Sequence, residues 1–128
     1  MTSVTAKETM GHTIAQVRIR ATGGQGMKTL DLLVDTGATY SWIRGSVLRK
    51  LGVIPSRRMR FETIEGRKVS RQLGEVVVEY GGERATTVVV FAREGDFEVL
   101  GAHALEGLAV AVDPRTKRLR RLPTVLAV

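Results

Sequence analysis

At 128 residues the chain is long enough for one domain with its own core, and short for an enzyme that must also enclose a cleft. The absence of cysteine excludes a disulfide scaffold, a thiol nucleophile and thiolate metal sites, and two histidines, His12 and His103, are too few for a zinc centre without carboxylate help. No metal is therefore expected, and no cofactor is expected either.

A hydrophobic content of 43% with only 5% aromatics describes an aliphatic core rich in Val and Leu, and the many Val and Thr residues favour strands. No apolar run approaches the ~20 residues of a membrane span. Residues 1–10 lack the apolar segment of a signal peptide, so the chain reads as cytoplasmic, with no membrane partner. The formal net charge of +7 is concentrated at Arg57, Arg58 and Arg60, at Arg67, Lys68 and Arg71, and between Arg115 and Arg121. Such clusters fit acidic partners, or the solvated faces of hairpins guarded by charge. Without interleaved aromatics to stack on bases, nucleic acid is the disfavoured partner.

Taken in order, residues 13–21 alternate Thr13, Ala15, Val17, Ile19 and Ala21 with Ile14, Gln16, Arg18 and Arg20, a strand with one buried face. Gly23, Gly24 and Gly26 turn it into a second strand in which Leu30, Leu32 and Val34 alternate with Thr29, Asp31 and Leu33. This strand delivers Asp35 to the turn Asp35-Thr36-Gly37-Ala38. Gly37, without a Cβ, lets backbone N–H groups approach the carboxylate, and Ala38 keeps that approach uncrowded. The same residues fit an ordinary Asx-turn, in which the side chain merely bonds the backbone two residues on.

Tyr40 to Ile43 read as a third strand, whose Tyr40 and Trp42 serve packing before function. Ser46 is a candidate cap for a helix over 47–51, ended by Gly52 and kept from resuming by Pro55. Residues 58–64 and 67–73 form a hairpin about Glu65-Gly66, poor in large apolar residues and so loosely anchored. A second hairpin joins 76–80 to 85–91 through Gly81-Gly82, and Val88 to Phe91 is expected to be the most buried strand. After a polar loop over 92–96, residues 97–100 return to the core, 102–106 form a short helix, and a last hairpin closes over 117–122.

The pairing of Leu33-Val34-Asp35-Thr36-Gly37-Ala38 with a later Val99-Leu100-Gly101 and short helix resembles the single-domain aspartic proteases of the retropepsin type, across residues 13–122. The resemblance implies an all-β fold, a closed barrel or sandwich of hairpins with one or two short helices, pseudo-twofold and homodimeric. It implies one domain over 1–128, with 1–10 as an N-terminal arm and 123–128 as a dimerisation tail.

Its functional expectation is an aspartic endopeptidase that acts on peptide or protein, acidic peptides among them, through two Asp35 carboxyls, one from each protomer. Thr36, Gly37, Ala38, Val99, Leu100 and Gly101 would support the active-site turn, with the Thr36 hydroxyl bonding across the dimer axis. Ile64, Glu65, Gly66 and Arg67 would form a flap over substrate, its acidic tip departing from the Gly-rich tips of viral enzymes. Leu33 and Trp42 are pocket candidates, joined by Ile64 and Val99. Three rival readings are a catalytically silent dimerisation or binding module of the same fold, a basic β protein that binds nucleic acid through its Arg-rich hairpins, and a lone metal-assisted hydrolase, which the poverty of His and Cys disfavours.

Overall fold

Ala15, Val17, Ile19 and Ala21 are buried and Gln16 and Arg18 are exposed, so the alternation along the first strand fixes which of its faces meets the core. The computed structural model describes residues 12–127, and the 1–10 arm lies outside them. The elements in chain order are β1 (Ile14–Ala21), β2 (Lys28–Val34), β3 (Ser41–Arg44), α1 (Gly45–Lys50), β4 (Arg57–Glu62), β5 (Lys68–Tyr80) and β6 (Glu83–Ala92). They continue with β7 (Val99–Leu100), α2 (Ala102–Leu108), β8 (Val110–Asp113) and β9 (Arg118–Arg121). The protein is all-β with two short helices.

The main sheet runs β1-β2-β7-β3-β6-β5-β4. Because β1 pairs with β2 along one edge and with β5 along the other, six of the seven strands close into a ring. Closure removes the unpaired edges that an open sheet would present. Ile19, Leu32, Ile43, Leu48, Val78 and Val89 fill the interior. Strand β6 is buried from Val89 to Ala92, as its apolar run predicts. Helix α2 lies on β6, with Ala104, Leu105 and Leu108 buried, and β8 and β9 form a separate two-stranded hairpin.

Strand β4 stands apart from the ring. It pairs only with β5, from Arg57↔Leu73 to Glu62↔Lys68, while β5 beyond Leu73 joins β6 and then β1. One continuous strand of 13 residues therefore serves both the barrel and the projecting hairpin. The sequence divides it at Gly74-Glu75, but Gly74 does not break it. A Cβ there would meet the Ile54 carbonyl at 3.0 Å and Val53 and Phe91 at 3.1 Å, so the glycine serves close packing.

Two further local readings change and a third stands. Ser46 lies inside α1 rather than capping it, because β3 runs directly into the helix with Arg44 at the N-cap and no side-chain capping bond. The strand expected over 97–100 shrinks to Val99–Leu100, leaving Phe97 62% exposed. The Gly81-Gly82 turn is as expected: both have positive φ (59° and 86°), the left-handed pair of a two-residue hairpin loop between Tyr80 and Glu83.

Candidate active site

The parallel pairing of β2 with β7, Leu33↔Val99 and Val34↔Leu100, places the end of β2 beside the chain's second hydrophobic-hydrophobic-Gly segment. The Asp35 N–H donates to the Leu100 carbonyl at 3.0 Å, and the Ala38 N–H donates back to the Asp35 carbonyl at 3.2 Å. The carboxylate Oδ1 accepts the Gly37 N–H at 2.9 Å, leaving the side chain exposed to solvent. This is Asx-turn geometry, and it also presents a carboxylate at a strand end without burying it.

Gly101 locks the turn from behind. Its N–H donates to the buried Ser41 hydroxyl at 3.0 Å, and the next N–H, of Ala102, donates to the Ala38 carbonyl at 2.8 Å. The absent Cβ would stand 2.5 Å from the Tyr40 carbonyl oxygen and 2.8 Å from that of Ala38. Leu100 and Gly101 are thus buried supports. Ser41, hidden in sequence by its 60-residue separation from Gly101, belongs to the same support.

In front of Asp35 opens a cleft of about 740 Å³. Its wall includes Gly37, Ala38, Trp42 and Val99 from the barrel and Ile64, Glu65 and Arg67 from the hairpin tip. The structure therefore gathers these sequence-predicted residues around Asp35. Thr36 is exposed at the turn, and Gly66, at the hairpin tip, is not part of the cleft wall. Leu33 is half-buried and lies off the cleft, because the alternation that buries Leu32 sends Leu33 to the opposite face of β2.

The hairpin tip is a tight turn. The Gly66 N–H donates to the Thr63 carbonyl and the Thr63 N–H to that of Arg67, both at 2.8 Å, with Gly66 at φ 88°. Glu65 is held below the ordinary carboxylate range, first by its own backbone N–H, then by the Thr63 hydroxyl, with the Arg67 charge adding to both. The acidic tip is thereby folded onto its own turn. Below it, Met59, Phe61 and Val69 line the cleft, and the Phe61 ring meets Trp42 edge-on at 5.1 Å. Sequence reading misses these three as cleft residues, although Met59 and Phe61 alternate with Arg58, Arg60 and Glu62, and Val69 stands opposite Phe61 on the facing arm, marking one apolar face of the hairpin.

Arg71 and Asp96 are also unforeseen. The Arg71 Nε and Nη2 donate to the two Asp96 oxygens at 2.7 and 2.9 Å, and the Arg93 N–H donates to Asp96 Oδ2 at 2.8 Å. Arg71, expected to add free positive charge to the hairpin, is therefore neutralised. Burial by itself would raise the Asp96 pKa. The Arg71 hydrogen bonds, the Arg93 N–H and the charges of Arg71 and Arg44 outweigh it and hold the carboxyl below its ordinary value.

A depressed carboxyl stabilises the fold above the unfolded-state value, about 4, and that contribution is lost as pH falls through the folded-state value. Asp96→Asn is therefore expected to melt at a lower temperature than wild type at pH 7. The gap should close as the pH is taken below about 4, and melting curves at stepped pH check this.

Among the described residues no His, Cys, Asp and Glu group could hold a metal ion, and no helix is long and apolar enough to cross a membrane. A family described as Aspartyl protease matches residues 15–104. No curated protein matches the chain. Among solved structures, the EIAV protease complexed with the inhibitor HBY-793 superimposes with a TM-score of 0.53 at 21% identity, covering 74% of this chain and 86% of that one. The simian foamy virus (mac) protease gives 0.49 at 19% identity, over 73% and 92%.

Proposed function

Because the chain belongs to the aspartyl protease family, we propose that it is an endopeptidase whose hydrolytic water is held between two Asp35 carboxyls, one from each protomer of a homodimer. The observation that carries this reading is the solvent-facing Asp35 carboxylate, seated on the Gly37 N–H at the base of a cleft roofed by a hairpin. A lone carboxylate cannot both take a proton from water and give one to the substrate carbonyl. Among the described residues, other carboxylates are engaged elsewhere: Asp96 is clamped by Arg71, Asp113 Oδ1 accepts the Arg115 N–H at 2.8 Å in its own turn, Glu65 in the cleft wall is folded onto its own hairpin turn, and Glu62 faces Lys68 at 3.9 Å. A second copy related by a twofold axis at Asp35 supplies the missing group.

In the working form one proton is shared by the two carboxyls. The ionised one draws a proton from water, whose oxygen adds to the scissile carbonyl carbon while the protonated one donates to the carbonyl oxygen. Collapse of the tetrahedral adduct breaks the C–N bond, and a proton passes to the leaving amine. The substrate binds extended, by main-chain hydrogen bonds as an added strand, with side chains in the cleft. Arg67 is the hairpin cation that faces the cleft and favours acidic residues there. The tail over 123–127 carries Val125 and Leu126 exposed, apolar surface suited to burial against a partner protomer.

The test is digestion of a peptide library across pH. Cleavage is expected to follow a bell with an acidic to mildly acidic optimum, since either zero or two protons on the pair disables it. A rate still rising through alkaline pH would overturn the shared-proton mechanism.

A further inference from the structure

The projecting hairpin hangs on β5 at Leu73, the last residue paired with both β4 and β6. Beyond that point it is two-stranded, and two strands alone are marginally stable in water. Arg71 lies two residues past the junction, on the cleft-facing side opposite Met59 in the β4–β5 register. Its fork grips Asp96 in the loop over 93–98, and the two side chains are only 12% and 15% exposed. That loop is itself tied to the barrel from the other side. The Arg44 N–H donates to Glu98 Oε2 at 2.7 Å, and Arg44 Nη1 donates to the Arg93 carbonyl at 3.0 Å. Directly after it come Val99 and Leu100, the support of the Asp35 turn.

Resting on the protease reading above, we infer that the Arg71–Asp96 pair is a positioning clamp that suspends the cleft-covering hairpin from the barrel-anchored loop. It holds the apolar underside of the hairpin, Met59, Phe61 and Val69, over the cleft that Phe97 also lines.

The alternatives to this tie are weaker. Arg49 reaches Gln72 at 3.0 Å from an exposed position, and the Trp42–Phe61 contact is a ring edge without directional bonds. A bidentate, mostly buried guanidinium–carboxylate pair fixes both distance and orientation. Because Arg44 keeps the loop on the barrel independently, cutting the clamp frees the hairpin and leaves the loop and the Asp35 turn in place. Substrate binding is then affected ahead of the chemical step.

The experiment compares Arg71→Gln, Asp96→Asn, their double variant and Arg71→Lys with wild type. It reads steady-state cleavage of quenched fluorogenic peptides with apolar residues flanking the scissile bond, and hydrogen exchange of the free protein. Each single substitution is expected to raise KM about tenfold with kcat within about threefold, and the double variant to match the singles, as two ends of one interaction do. Arg71→Lys, which keeps the charge and loses the fork, should fall between. Exchange should accelerate about tenfold in 57–62 and 68–72 and stay unchanged in 99–108.

Unchanged hairpin exchange, or faster exchange with an unmoved KM, overturns the clamp as a positioning device. If Arg71→Gln does not fold, the near-isosteric Asp96→Asn carries the same two readouts. If wild type itself cleaves no peptide, the protease reading fails, and the exchange pattern alone decides whether the pair holds the hairpin.

Discussion

Asp35→Asn is expected to lower peptide cleavage by about 10⁴-fold or more, since it removes the group that shares and transfers the proton. The fold should survive unchanged. Asp35 is exposed, and its one side-chain bond, from the Gly37 N–H at 2.9 Å, can be accepted equally by the amide oxygen of asparagine. Melting temperature and oligomeric state should therefore match wild type. The comparison isolates chemistry from structure, which a substitution that damaged the turn could not do. Wild-type turnover by the purified variant would remove Asp35 from the mechanism.

Gly101→Ala is expected to show the reverse pattern, a loss of both stability and activity. Its added methyl would stand 2.5 Å from the Tyr40 carbonyl oxygen and 2.8 Å from that of Ala38, and both are backbone atoms with no rotamer to escape into. Relief requires moving the segment over 38–40 away from α2, which strains the Ala102 N–H bond to Ala38 and the Gly101 N–H bond to Ser41. Overpacking of this kind costs about 3 kcal/mol. For a domain of this size that is a drop of roughly 10 °C in melting temperature. Because the Asp35 turn rests on the same bonds, catalysis should fall even in the fraction that remains folded. Calorimetry with activity normalised to folded protein checks both effects, and an unchanged melting temperature would contradict the close approach.

The parts of this arrangement legible in the sequence are those set by near neighbours. Alternation placed Ala15, Val17 and Ile19 inside, paired glycines marked the turn at Gly81-Gly82, and the small residues after Asp35 announced a tight turn around a carboxylate. The cleft needed more than neighbours. Leu33 and Trp42 are both apolar strand residues; alternation with buried Leu32 turns Leu33 to the other face of β2, but only closure of the ring brings Trp42 to the cleft. Arg71 reads as one more solvated cation because its partner, Asp96, lies on a loop brought alongside by the β3–β6–β7 arrangement. Gly74 reads as a break because sequence rules see its freedom and not the Ile54 carbonyl and Phe91 ring packed against it. Ser46 reads as a cap because its residue type suits one, while the strand entering α1 leaves that place to Arg44.

If catalysis needs one Asp35 from each of two chains, mixing active and inactive protomers exposes the requirement. Wild type and Asp35→Asn are unfolded together, refolded at fixed total concentration in varying ratio, and assayed for cleavage. If the active species contains two wild-type protomers, activity follows the square of the wild-type fraction, about a quarter of full activity in an equimolar mixture. Activity in simple proportion to the wild-type fraction, about half at equimolar mixing, would mean that each protomer works alone and would contradict the shared site.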